Sequence, residues 1–335
     1  MINFGIIGFG LHAVKRLMPG FASAQNCRVV ALSRRDAGKA AASSKQFNIP
    51  LAFTSAETLC SSPEVDAVLV ATPNACHLQD VLTAIRCGKP VLCEKPMGVQ
   101  AGECKLMVEA AREAGILLGV AQVFRFEEST AKLRERIASG QIGKSIFARA
   151  EFSFSAGAGH ARTWLNDLAV SGGGPIADVG VHCIDTLRFI LQDEVVNVSA
   201  RGFSDEMSRE VEAAAALILE FSRGTLGMVA VSFRVDYRTP LEFVGDKGVL
   251  RADDGLNVEK PISLQLCRNG AVVESEIVTN YSAYARQVDA FANAVEGMGH
   301  FPVPGEQGWQ NQAILDAAYR SMKTGKAEEV PRVAA

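Results

Sequence analysis

The chain has 335 residues, 48% hydrophobic and 21% charged, which excludes a disordered chain, a collagen and a small disulfide scaffold. Its 34 basic and 37 acidic residues leave a net charge of -3, so there is no electrostatic case for nucleic acid or an anionic membrane as partner. The length predicts about two domains.

The first third alternates short apolar runs with helical patterns. Strands are predicted at Ile2–Ile7, Arg28–Leu32, Ala67–Ala71, Pro90–Cys93 and Leu117–Val123. Helices are predicted between them at Leu11–Phe21, Ala37–Phe47, Ala75–Cys87 and Ala101–Ala114. That rhythm means parallel pairing in an α/β, doubly wound sheet, and runs that barely alternate fit strands covered on both faces. After about Arg125 the character changes. Alternating segments at Ile146–Phe154, Val195–Phe203, Ala213–Phe221, Thr225–Val235, Leu241–Val244, Ile262–Cys267 and Val272–Val278 predict a large, open, mainly antiparallel sheet. Ser222-Arg223-Gly224 and Arg268-Asn269-Gly270 are turn signals within it. Helices are expected at Ser129–Ser139, Pro175–Leu191, Ala283–Glu296 and Gly308–Lys323, with a loosely held tail after Gly325. The expected boundary gives a Rossmann domain over 1–123 and an α+β substrate and oligomerisation domain over 124–335.

No apolar run is long enough to span a bilayer, and Met1-Ile2-Asn3-Phe4-Gly5 has no basic stretch of the kind a secretory leader needs. Eight scattered cysteines without a C-x-x-C pair suggest free thiols in a reducing cytoplasm. Five dispersed histidines give no expected metal site.

Gly8-Phe9-Gly10-Leu11-His12-Ala13 follows the first strand and opens a helix, the context a dinucleotide fingerprint requires. The first glycine permits the turn, the second admits pyrophosphate, and helix-start N–H groups face the phosphates. The second strand ends in Ser33-Arg34-Arg35, where an NAD site usually places a carboxylate. A hydroxyl and guanidinium groups suit the 2′-phosphate of NADP, with NAD as the alternative if both arginines are only solvated. Asp36 is placed to cap the next helix, and Lys39 would add charge one turn on. Thr72-Pro73-Asn74 and His77 border the expected cofactor beyond the third of these strands, although a plain turn and cap read equally well for His77.

Cys93-Glu94-Lys95-Pro96 ends the next strand, where a lysine can hold a substrate hydroxyl and Pro96 suits a cis bond. Ser171-Gly172-Gly173-Gly174-Pro175 forms a flexible approach to a helix carrying Asp178, His182 and Asp185. An acid four residues from a histidine shares its helix face and can tune a proton-moving imidazole. For this helix alone, a capping aspartate and a core histidine would be the ordinary reading.

Together these motifs resemble the glucose–fructose oxidoreductase, inositol dehydrogenase and rhizopine-catabolism family over nearly the whole chain. The resemblance implies an oxidoreductase in which Lys95 and His182 carry the acid–base step, supported by Asp178. Ser33-Arg34 and Gly180–Leu191 are most similar to NADP-dependent sugar and anhydrosugar reductases and sugar dehydrogenases within it. By the same resemblance Glu94 and Gln122 join the cofactor residues, while Arg125, Trp164 and Tyr281 join the substrate residues. Plain packing is the other reading of Trp164. Tyr284 shares the region of Tyr281, and Gly157–Gly159 with His160 is given no role.

The implied reaction is hydride transfer between nicotinamide and a carbon of a sugar or polyol. Inositol-type or dihydrodiol dehydrogenation is the enzymatic alternative, and an NADP-sensing regulator is the alternative from another class. A sheet face without helices predicts a homodimer or homotetramer.

Overall fold

The computed structural model describes residues 1–156, 162–208, 210–280 and 282–333. The chain forms two compact units, residues 1–123 with 284–309, and residues 124–283 with 310–334. The first boundary is the expected one, but the division is not contiguous. Residues 284–309 return to the first unit, because Gly305 and Gly308 lie where a side chain would meet Val108, Leu118 and Val120.

The first unit is a six-stranded parallel sheet of β1 (Ile2–Ile7), β2 (Cys27–Ser33), β3 (Leu51–Phe53), β4 (Ala67–Val70), β5 (Val91–Glu94) and β6 (Leu118–Ala121). Its order is β3-β2-β1-β4-β5-β6, with the direction of winding reversing between β1 and β4. All four residues of β4, β5 and β6 are buried, so these strands need no alternation. Helices α2 (Ala37–Phe47), α3 (Ala56–Cys60), α4 (His77–Arg86) and α5 (Ala101–Ala114) connect them. The expected Leu11–Phe21 helix forms, with a wide π segment, Ala13–Leu17, running into α1 (Met18–Ser23). Pro19 lacks the N–H that a regular helix would use here, and Met18 N–H reaches back five residues to the Ala13 carbonyl. Short β3 and α3 were not anticipated, since neither is long enough to show a period.

The second unit holds a nine-stranded sheet of β7 (Ser145–Ser153), β8 (Val195–Phe203), β9 (Ala214–Phe221), β10 (Leu226–Ser232), β11 (Leu241–Gly245), β12 (Val249–Ala252), β13 (Ile262–Arg268), β14 (Ala271–Val278) and β15 (Glu328–Glu329). The order is β14-β13-β12-β11-β7-β10-β9-β8-β15, antiparallel except for the β7–β10 pair. Asn269 and Gly270 both have positive φ, the two-residue turn that suits the β13–β14 hairpin. Strand β9 alternates buried and exposed residues, so one face is covered and one is open. Helices α6 (Glu128–Ala138) and α8 (Val181–Leu191) pack against the covered face, and the single turn α7 (Leu168–Ser171) lies between them in the chain.

The chain closes with α9 (Ala283–Val295) and α10 (Gly305–Thr324). Over its described residues, to Val333, the tail beyond Gly325 is tied down rather than loose. Strand β15 pairs with β8, Val330 N–H bonds the Val196 carbonyl at 2.9 Å, and Val330 is buried. Among the described residues no helix is long and apolar enough to cross a membrane.

Candidate functional site

In the first unit the glycine loop sits at the carboxyl end of β1, beside the point where the winding reverses, which is where doubly wound sheets bind ligands. Gly8 has φ +84°, and a Cβ there would lie 2.7 Å from the Thr72 backbone nitrogen. Glycine is required by both the turn and this close approach. At Gly10 an added Cβ would meet only the Gly8 carbonyl oxygen, at 3.8 Å, so this backbone faces open space. Phe9 is buried, and its N–H bonds the Ser33 carbonyl at 3.0 Å, which ties the loop to the end of β2. Leu11 is exposed at the helix start.

Ser33 is buried, Arg34 Nη1 donates to the Ser43 hydroxyl at 2.9 Å, and Arg35 is exposed. Asp36 caps α2 by accepting from Lys39 N–H at 2.8 Å. The His12 Nε2 lies 2.9 Å from Glu94 Oε1. Burial pushes the Glu94 carboxyl up, but the facing His12 and Lys95 outweigh it and hold the group below its ordinary range. The strand-end motifs of β1 and β5 are thus joined by a side-chain bond. The Lys95–Pro96 peptide is cis, as Pro96 suggested, and Lys95 is partly exposed.

His77 is 1% exposed, with Nδ1 3.0 Å from the Pro96 carbonyl and Nε2 2.9 Å from the Thr72 carbonyl. Burial pushes its pKa down. Each nitrogen has a loop carbonyl within hydrogen-bond reach, the geometry of the structural reading that stood beside the cofactor contact. Pro73 precedes a short turn, Asn74–Cys76, in which Asn74 is buried. Gln122 follows β6 and is 1% exposed, and its Oε1 has no partner among the described residues. An open glycine cradle and an orphaned buried amide oxygen fit a dinucleotide carrying a phosphate bridge and amide donors.

In the second unit the glycine run is not the flexible approach expected from its composition. A Cβ at Gly173 would lie 1.7 Å from the Tyr319 hydroxyl, and one at Gly174 would lie 2.2 Å from the Glu212 carbonyl oxygen. Buried Glu212 accepts from Gly174 N–H at 3.0 Å, Ile176 N–H at 2.8 Å and the Tyr319 hydroxyl at 3.1 Å. Burial pushes its pKa up. The glycines are there because this carboxylate and phenol occupy the space. A five-residue π turn, Ile176–Gly180, then leads into α8.

Asp178 lies in that turn, buried, and accepts from Arg162 Nη1 and Nη2 at 3.1 Å each. His182 is 8% exposed between two aromatic rings, with Phe124 edge-on at 4.8 Å and Phe152 stacked at 5.9 Å. Asp185 is not free to tune the histidine, because Arg125 grips it through Nε at 2.8 Å and Nη2 at 2.6 Å. In Arg125, expected to meet substrate, two guanidinium nitrogens are thus engaged by a buried carboxylate. Trp164 is half-buried in the turn Thr163–Asn166. Tyr281, Gly157–Gly159 and His160 lie outside the described residues, whereas Tyr284 stacks edge-on with His12 at 6.2 Å. Arg162, Glu212, Phe124 and Phe152 were missed from sequence. Each is an isolated residue with no motif, and only its partner gives it meaning.

The strand order and the positive-φ loop at the end of β1 define the class: a dinucleotide-binding Rossmann unit joined to a mixed-sheet unit, in which Asp178 and His182 are buried. An oxidoreductase family profile with an NAD-binding Rossmann fold matches residues 2–122, and a GFO/IDH/MocA C-terminal domain profile matches residues 130–251. The chain is 34% identical to 1,5-anhydro-D-fructose reductase of Ensifer adhaerens, covering 98% of this chain and 99% of that one. It is 30% identical to D-xylose 1-dehydrogenase (NADP(+)) 2 of Haloferax volcanii, with the same coverage. The aldose-aldose oxidoreductase of Caulobacter crescentus, solved with glycerol, shares the fold at a TM-score of 0.90 and 24% identity, covering 98% of this chain and 99% of that one. The chain therefore belongs to the GFO/IDH/MocA family and is an NAD(P)-dependent oxidoreductase.

Proposed function

We propose that this oxidoreductase prefers NADP and interconverts a hydroxyl and a carbonyl on a sugar or polyol. The observation that carries the cofactor preference is at the end of β2. Its nearest carboxylate, Asp36, is spent on the α2 cap, while Ser33, Arg34 and Arg35 supply a hydroxyl and two cations. That set suits a 2′-phosphate better than a bare ribose diol. The sugar assignment draws support from the 1,5-anhydro-D-fructose reductase and D-xylose 1-dehydrogenase relatives.

Bound NADP would supply the hydride donor or acceptor at nicotinamide C4. Gly8 to His12 would hold its phosphates, with Thr72, Pro73, Asn74, Glu94 and Gln122 lining the same sheet edge. Within the first unit Lys95 is the residue suited to stabilising charge on a substrate oxygen, and within the second His182 is the residue suited to moving a proton. Asp178, itself held by Arg162, orients this chemistry from the turn before α8.

The test is separate fluorescence titration with NADPH and NADH, followed by trials of 1,5-anhydro-D-fructose reduction and D-xylose oxidation. NADPH is expected to bind at least about tenfold tighter, since one charge-assisted hydrogen bond contributes roughly 1.5–3 kcal/mol. Equal binding, or an NADH preference, overturns the cofactor assignment and moves an inositol-type activity ahead.

The open face of the second unit's sheet supports self-association. Ile218 is 51% exposed there opposite Met228, and Leu226, 40% exposed, lies opposite Phe147. A second copy placing the same face against it would bury this apolar stripe. Light scattering is expected to give a dimer or tetramer for the native chain and a smaller species for Ile218→Lys. A monomeric native protein rules this assembly out.

A further inference from the structure

We propose that the buried Arg125–Asp185 ion pair is a positioning device for the His182 imidazole, acting through Phe124. The inference rests on the assignment of proton transfer to His182. Asp185 lies one helical turn beyond His182 on α8, and Arg125 directly follows Phe124 in the turn Val123–Phe126. The side chains of Arg125 and Asp185 are 6% and 1% exposed. Their two parallel bonds, at 2.8 and 2.6 Å, fix both the distance and the plane of the guanidinium.

Two further contacts leave this pair no latitude. Asn311 Nδ2 donates to Asp185 Oδ1 at 2.7 Å, and Arg188 holds the Asn311 oxygen while forking onto Glu194. The Arg125 guanidinium also lies over the Phe189 ring, 5.3 Å from its centre. With Arg125 locked to α8, the preceding residue cannot drift from it. Phe124 is thereby set edge-on, at 90° and 4.8 Å, against the imidazole one turn up the same helix. Phe152 on β7 stacks on that imidazole at 25°. The ring sits in a slot with one movable wall, and the ion pair holds that wall. A carboxylate occupied by three donors is poorly suited to relaying protons, so Asp185 acts through geometry.

The test uses the full chain with labelled histidine. Five histidines make the ring signals countable, and those absent from His182→Asn belong to His182. Phe124→Leu removes the ring, and Asp185→Asn keeps the shape while removing the charge. Both are expected to shift the His182 ring signals. Both should also lower kcat with NADPH and 1,5-anhydro-D-fructose by roughly ten- to a hundredfold, the scale of an ångström-level misplacement, with the Kd for NADPH within about twofold. If Asp185→Asn does not fold, Arg125→Lys, which cannot form the two-bond fork, takes its place. Unchanged His182 signals in the folded charge variant overturn the proposal. Shifted signals with unchanged kcat uphold the positioning and overturn the catalytic assignment of His182 instead.

Discussion

Replacing His182 by asparagine is expected to lower turnover by at least about two orders of magnitude, the usual contribution of a positioned general acid or base. Asparagine keeps a polar side chain of similar reach but cannot take up and release a proton near neutrality. NADPH affinity should stay within about twofold, because the glycine loop and the end of β2 are untouched. The same change should depress reduction and oxidation alike, since one group serves both directions. Steady-state rates in each direction, beside a fluorescence titration, make the comparison. Near-native turnover in a folded variant removes His182 from the mechanism. A parallel loss of NADPH binding would assign the damage to the fold.

The second large effect is structural. Gly174→Ala is expected to cost about 3 kcal/mol or more, the upper range for forcing extra atoms into a packed interior. The new Cβ would lie 2.2 Å from the Glu212 backbone oxygen and 3.1 Å from its carboxyl carbon. Neither can retreat cheaply, because that carboxylate already accepts two backbone N–H groups and the Tyr319 hydroxyl. The thermal midpoint should fall by roughly 6–12 °C, and activity should fall with it, since the turn that carries Asp178 begins at Ile176. Gly102→Ala is the matched control. A Cβ there meets nothing within 4 Å in the first turn of α5, so stability should hold or rise slightly. Equal midpoints for the two variants would show that the glycine run tolerates side chains and is loosely packed.

The contrast between these glycines reflects what a sequence carries. Gly8 was legible because a strand, a glycine loop and a helix start announce one another over a dozen residues. The parallel first sheet, the alternating second sheet and the Asn269-Gly270 hairpin were legible for the same reason: periodicity and turn chemistry act between near neighbours. The Glu94-Lys95-Pro96 strand end was readable from the strand it ends. Gly173 and Gly174 misled, because composition reads glycines as freedom, whereas here Tyr319 and Glu212 fill the space around them. The Pro96 carbonyl beside His77 and the pairing of Arg125 with Asp185 were illegible for a related reason: each partner lies on a segment distant in sequence.

The sequence by itself determined the order of the longer elements, the dinucleotide loop, the absence of a carboxylate from the end of β2 and the helical segment carrying Asp178 and His182. Only the tertiary structure decided that Arg162 grips Asp178, that Glu212 and Tyr319 shape the glycine run, and that Arg125 closes on Asp185 sixty residues away. It also decided that residues 284–309 belong with the first unit and that the tail forms a sheet edge. The physical reason is range. Backbone preference and hydrophobic period are set within a few residues, whereas the partner of a buried polar group is chosen by whichever distant segment the folded chain brings against it.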